Sequence, residues 1–153
     1  MTRGNRGFTL LELMIVVALI AIVLAIAIPS LRGARKSSNE AAAIGNLKAI
    51  AGVMEQFRTR FGKFPSTWAP IRSAGFLAGF NGPVKDIYDG AANVAGKQGY
   101  SFLLSSIGGI PWRVFAVANK LGTTGDRNFY TDIRGVIRYN TTGLATPSSP
   151  PID

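Results

Sequence analysis

The chain carries no cysteine and no histidine, so any chemistry must come from carboxylates, hydroxyls and amines. Thiol and imidazole triads are unavailable, and so are histidine bases and histidine metal ligands. A Ser–Lys pair is the remaining nucleophile–base arrangement, and nothing in the sequence sets one up. Asp126 and Asp132 could offer oxygen to calcium, but they are two lone acids separated by a strand-like segment. Asn140-Thr141-Thr142 fits a glycosylation sequon, and Thr146–Pro151 could carry O-linked sugar. Gly90 to Lys97 superficially resembles a phosphate-binding loop. Its glycine spacing is one residue too long, and Gln98 stands where Ser or Thr would hold magnesium. The expectation is a chain that is not an enzyme, with no cofactor and no metal site.

One acid is oddly placed. Residues 7–16 read Gly-Phe-Thr-Leu-Leu-Glu-Leu-Met-Ile-Val, every side chain from Leu13 to Ile28 is apolar, and the next acid after Glu12 is Glu40. A carboxylate costs roughly 2.5–3.5 kcal/mol at a membrane centre and less near the edge. A local bond can offset that cost: Thr9-x-x-Glu12 fits a helix capping box, with threonine at the N-cap.

The stretch GFTLLELMIVVALIAIVLAIAIP resembles the N-terminus of a type IV pilin or a type II secretion pseudopilin, on Gly7, Phe8, Thr9, Leu10, Leu11, Glu12, Leu13 and Pro29. Ala21 departs from the pattern, since many members have glycine there. The resemblance covers about the first 35 residues. It implies a basic leader, Met1–Gly7, cut after Gly7 by a prepilin peptidase, and N-methylation of the new terminus at Phe8. Secretory signals are instead cut after their apolar region. A cut at Gly7 keeps the apolar segment in the mature chain, and a glycine suits an extended backbone in a tight cleft.

The resemblance also gives Glu12 a second reading. The amine freed at Phe8 would be a cation at the edge of a low-dielectric layer, and a buried charge wants an opposite one. Phe8 and Glu12 lie one helical turn apart in one chain. In a stack of parallel chains, Glu12 of one could meet the amine of the next, which is the pairing the family implies. The sequence alone does not separate cap from pair.

The elements follow from periodicity. Residues 8 to about 61 read as one helix, roughly 80 Å long at 1.5 Å per residue. Its first half is apolar all round, as suits lipid or a bundle core. Pro29 cannot donate to the carbonyl of Ala25, so a kink or local melting is expected there. In the second half Leu47, Ile50, Met54, Phe57 and Phe61 are spaced 3, 4, 3 and 4 and form one core-facing stripe. Gly62 and Pro65 end the helix, and Phe61-Gly62-Lys63-Phe64-Pro65 also resembles the helix exit of pilins and pseudopilins. Ser66–Gly99 reads as a long loop with room for a short helix or strand. Strands are expected at Tyr100–Leu104, Trp112–Ala118, Phe129–Ile133 and Val136–Tyr139, the last two joined by a hairpin turn at Arg134-Gly135.

The fold class expected is α+β, a long N-terminal helix whose distal half packs on a small antiparallel sheet. The divisions are 1–7 leader, 8–29 transmembrane and polymerisation helix, 30–62 amphipathic half, 63–99 loop, 100–142 sheet and 143–153 flexible tail, mobile unless pinned.

The 153 residues suffice for one modest domain plus an anchor. Net charge is +9, or +7 in side chains without Arg3 and Arg6, and the cations are scattered. Such charge could attract DNA or anionic surfaces, but a specific nucleic-acid partner is not expected. Arg3 and Arg6 flank one end of the apolar segment, and Arg32, Arg35 and Lys36 flank the other as densely. Orientation therefore rests on the resemblance. The Asp-Pro-Trp-Gly-like segment common in calcium-binding major pseudopilins is not found. The function implied is structural: a subunit of a type IV pilus or, as runner-up, of a secretion pseudopilus. It would be held in the inner membrane and its lipid first, then assembled with copies of itself by inner-membrane machinery into an extracellular or periplasmic filament. The reading from a different class is a non-polymerising single-pass anchor with a binding domain.

Overall fold

The computed structural model describes residues 8–76, 84–86, 98–106 and 112–152. The chain divides into two compact units, the first ending at Ala34 and the second spanning Arg35–Asp153. Helix α1 covers Leu10–Phe61 and passes through Pro29. Every described residue from Phe8 to Ala34 is exposed except the intermediate Ala27. The helix is long and apolar enough to cross a membrane, with a best 18-residue window of mean hydropathy 3.1 and none of that window buried.

In the second unit the spacing read from the sequence becomes a packed stripe. Ala43, Leu47, Ile50, Met54 and Phe57 of α1 are buried in one core cluster. Arg58 and Arg60 in the last turn suit the negative helix end, and Gly62 closes it at φ +73°. A short helix α2, Trp68–Ser73, buries Trp68 and Ile71.

The sheet has five strands in the order β1-β2-β3-β4-β5: Val84–Asp86, Tyr100–Ser105, Arg113–Ala118, Asn128–Asp132 and Arg138–Asn140. β2 to β5 form the expected antiparallel meander. β1 adds a parallel edge, pairing Val84 with Phe102 and Asp86 with Leu104. Alternation places Tyr100, Phe102 and Leu104 of β2, and Val114, Ala116 and Ala118 of β3, on the core face with Phe129. Full burial of a side chain such as Leu47 or Ile50 contributes about 1.5–3 kcal/mol, which is why α1 stays on this face.

Two expectations change. The Arg134-Gly135 hairpin is not a two-residue turn, because ladder pairing stops at Tyr130↔Arg138. Asp132 organises a wider loop: its carboxylate accepts the Arg134 backbone N–H at 2.9 Å, while Gly135, at φ +74°, donates its N–H to the Asp132 carbonyl. The segment 143–153 was expected to be a flexible tail unless pinned, and its described residues are pinned. Tyr139 N–H donates to the Pro150 carbonyl, Ile152 N–H donates to the Ile137 carbonyl, and Arg138 donates to the Ser149 carbonyl at 2.7 Å. Ala145 and Ser149 are buried, so the tail covers β5 instead of leaving an open sheet edge.

Candidate functional site

The candidate assembly segment is the start of α1. Thr9 is at the N-cap, and its carbonyl accepts the first helical bond from Leu13. Its hydroxyl accepts the Glu12 N–H at 3.2 Å. Both its own N–H and its hydroxyl donate to Oε2 of Glu12 at 2.9 Å. The capping box read from Thr9-x-x-Glu12 is thus closed within one chain. Among the described residues Oε1 of Glu12 takes no hydrogen bond, so the cap occupies one carboxylate oxygen and leaves the other open. Phe8 is exposed beside this turn, with Leu10, Leu11 and Leu13. Gly7 lies outside the described residues. Pro29 sits inside the helix.

The acids considered for a cation go elsewhere. Asp126 meets Lys36 at 2.8 Å. Asp132 accepts from Arg134 at 2.7 Å and from the Tyr130 hydroxyl at 2.8 Å. Among the described residues no three acidic groups converge as a metal site would need. Burial pushes Asp132 up, but the bonds from Arg134 and Tyr130 outweigh it and hold the carboxyl below the ordinary range. Burial, then the Asp132 bond, push the Tyr130 phenol up to about 12. Asn140 uses its side-chain oxygen to accept from Thr142 N–H and hydroxyl, at 3.0 and 3.1 Å. The Gly90–Lys97 segment lies outside the described residues.

Sequence reasoning missed one constellation. Glu40 is almost fully buried and accepts the Asp126 N–H at 2.7 Å and Arg127 Nε at 2.8 Å. Arg127 also lies over Phe129 and Tyr139, 5.4 and 5.3 Å from the ring centres. Asn39 donates to the Thr124 carbonyl at 2.8 Å. Gly99, at φ +73°, leaves room here, since a Cβ would stand 2.8 Å from Thr124 Cβ. The β3–β4 loop is thereby fastened to α1 at Lys36–Glu40. The signal was Glu40 itself, an acid on the face that begins the apolar stripe.

Comparisons with known proteins bear on both units. The family model for the prokaryotic N-terminal methylation motif matches residues 2–28. The Type IV wide pilus major component PilA4 of Thermus thermophilus is 31% identical over 110 residues, covering 72% of this chain and 80% of that protein. The Type IV major pilin protein PilA of Myxococcus xanthus is 51% identical over 53 residues, 35% of this chain and 24% of that protein. The Type II secretion system core protein G of Dickeya chrysanthemi is 27% identical over 67 residues, 44% of each chain. The likeness to PilA4 extends well past the apolar segment into the sheet-bearing unit, and with the methylation motif at the N-terminus it shows that the chain belongs to the type IV pilin family.

Proposed function

We propose that the chain is the repeating subunit of a type IV pilus, assembled through residues 8–34. The observation that carries this reading is the unburied apolar helix. An 18-residue window of mean hydropathy 3.1 has none of its residues buried, and water is a poor final environment for it. Lipid satisfies it before assembly, and copies of the same helix satisfy it afterwards. The chain is held by the inner membrane, cut between Gly7 and Phe8 by a prepilin peptidase, methylated at Phe8, and passed by inner-membrane machinery into an external filament. Pro29 kinks α1 during that packing. Glu12 pairs with the Phe8 amine of a neighbour through the carboxylate oxygen that the cap leaves open.

The pseudopilus remains the second reading because of the likeness to core protein G, which covers 44% of the chain. The major-pilin likeness covers more, 72%. Shearing filaments from intact cells, imaging them and identifying their main protein by mass spectrometry decides between the two. This chain as the bulk component of surface filaments is expected. Surface filaments made of other proteins, with this chain confined to the cell envelope, would overturn the pilus reading. Mass spectrometry of the mature chain tests the processing: a terminus at methylated Phe8 is expected, and one at Met1 or beyond Ala27 would sink it.

A further inference from the structure

The Asn140-Thr141-Thr142 sequon has no part in the pilus reading, and no other asparagine of the chain has Ser or Thr two residues on. Asn140 ends β5 and stands opposite Asn128 in the ladder. The C-terminal segment covers β5 as far as Tyr139, whose N–H meets the Pro150 carbonyl. Past that point the chain enters residues 141–147, which form no helix or strand. Thr141, Thr142, Leu144 and Thr146 are exposed there.

The acceptor amide and the sequon hydroxyl already sit together in this turn. Asn140 Oδ1 accepts the Thr142 N–H at 3.0 Å and the Thr142 hydroxyl at 3.1 Å, closing an Asx turn. Both bonds fall on the amide oxygen. The amide nitrogen donates to the Leu144 carbonyl at 3.3 Å, longer than the ordinary N–H···O range of about 2.7–3.2 Å. An asparagine amide has two N–H donors. Among the described residues, one of them is therefore weakly held and the other unused. The nearby hydroxyls are less well placed to take a sugar: Ser149 is buried, and Thr146 and Ser148 bond to each other at 2.9 Å.

Resting on the pilus reading, which turns the second unit outward from the inner membrane, we infer that Asn140 is N-glycosylated from a polyprenyl-diphosphate-linked oligosaccharide. The apolar anchor keeps the chain in the same membrane as that lipid-borne donor. In the transfer the C1–O bond between sugar and diphosphate breaks, and a C1–N bond to Nδ2 forms. One Nδ2 proton passes to a carboxylate of the transferase, and polyprenyl diphosphate leaves with the electron pair of the broken bond. Thr142 supplies the hydroxyl by which the transferase recognises the acceptor. The glycan is bulky and solubilising, and it shades Leu144, which is 51% exposed and whose carbonyl meets Nδ2.

The test reads the chain from the cells that make it, extracted from the envelope in detergent and digested with trypsin. Cleavage after Arg138 gives a peptide that begins at Tyr139 and carries Asn140. Electron-transfer fragmentation is expected to place a mass increment of whole sugar residues on Asn140 in most copies. Asn140→Gln and Thr142→Ala abolish the increment, whereas Thr142→Ser and Thr141→Ala retain it. Should the first two variants fold poorly, localisation in the unaltered chain and the two retaining variants decide. An unmodified peptide would overturn the site. Sugar confined to Thr141, Thr146 or Ser148 would overturn it too, as would an increment that survives Thr142→Ala. The peptide is read from envelope and filament material alike, so missing filaments would fail the pilus reading and leave this result standing.

Discussion

The carboxylate of Glu40 and the guanidinium of Arg127 meet at 2.8 Å although 87 residues separate them in the sequence. Glu40 belongs to the helix and Arg127 to the loop entering β4. The same carboxylate takes the Asp126 N–H, and Tyr100, buried on β2, donates its hydroxyl to the Arg127 carbonyl at 2.5 Å. One acid therefore ties α1 to the loop, and the loop is tied in turn to the sheet.

Glu40→Gln is expected to destabilise the second unit by about 1–3 kcal/mol. Removing one member of a buried pair costs up to roughly 3–5 kcal/mol, but Arg127 is 37% exposed and regains water, which lowers the figure. Lys36→Gln is expected to cost under about 1 kcal/mol, since its partner Asp126 is largely exposed. Thermal melts of the full chain in detergent, followed by near-UV circular dichroism of the sheet aromatics, rank the two. Equal losses would show that the clamp does not depend on the buried acid.

The Tyr130–Asp132–Arg134 group sets a pH dependence at both ends. Asp132 titrates below its ordinary value when folded. Its contribution is fully present above the unfolded carboxyl pKa, about 3.9, and is lost as pH falls through the lower folded value. Tyr130 is raised to about 12. Its contribution is present below the unfolded phenol pKa, about 10, and is lost as pH rises through the folded one. Asp132→Asn should flatten the acid limb of a stability profile, and Tyr130→Phe the alkaline limb. An acid limb of unchanged slope in Asp132→Asn would place acid sensitivity on other carboxylates.

Much of this fold was legible because its signals are local. The 3, 4, 3 spacing of Leu47, Ile50, Met54 and Phe57 found the buried face of α1. Phe61 continues the spacing yet is 45% exposed, because the helix ends there and Gly62 turns the chain away. Non-local pairings were not legible. Val84–Asp86 is a strand only because the edge of β2 accepts it, and 143–152 is ordered only because Ile137 and Tyr139 bond back to it. At the candidate site the Thr9–Glu12 box was visible as a spacing of three. The partners of Glu40 were not, since no local pattern links a helix acid to a loop so distant in sequence.

Deleting residues 1–35 is expected to leave a soluble, folded monomer. The second unit contains the whole hydrophobic cluster, and none of its buried apolar residues precedes Ala43. The deletion removes the unburied apolar surface and keeps Lys36 and Glu40, so the loop clamp survives. Size-exclusion chromatography with circular dichroism reads the outcome. Polymers persisting in the truncated chain would mean that the sheet-bearing unit, and not the helix, drives association.

Glu12 is where cap and assembly can be told apart. The cap uses Oε2, and losing it costs about 1 kcal/mol. An intermolecular pair with the Phe8 amine would add a charge term, and leaving one member of a buried pair alone costs on the order of 3–5 kcal/mol, repeated at every subunit. Glu12→Gln can keep the cap's acceptor oxygen and loses the charge. Glu12→Val loses both, and valine suits lipid better, so membrane retention is unaffected. Thr9→Val keeps the charge and breaks the hydroxyl side of the box. If charge matters, filament yield falls sharply in Glu12→Gln and Glu12→Val and only modestly in Thr9→Val, with all three chains cleaved and membrane-inserted. If the cap alone matters, Thr9→Val and Glu12→Val weaken assembly alike and Glu12→Gln assembles normally. Normal filaments from both Glu12 variants would refute the charge pair and leave Glu12 as an ordinary helix cap.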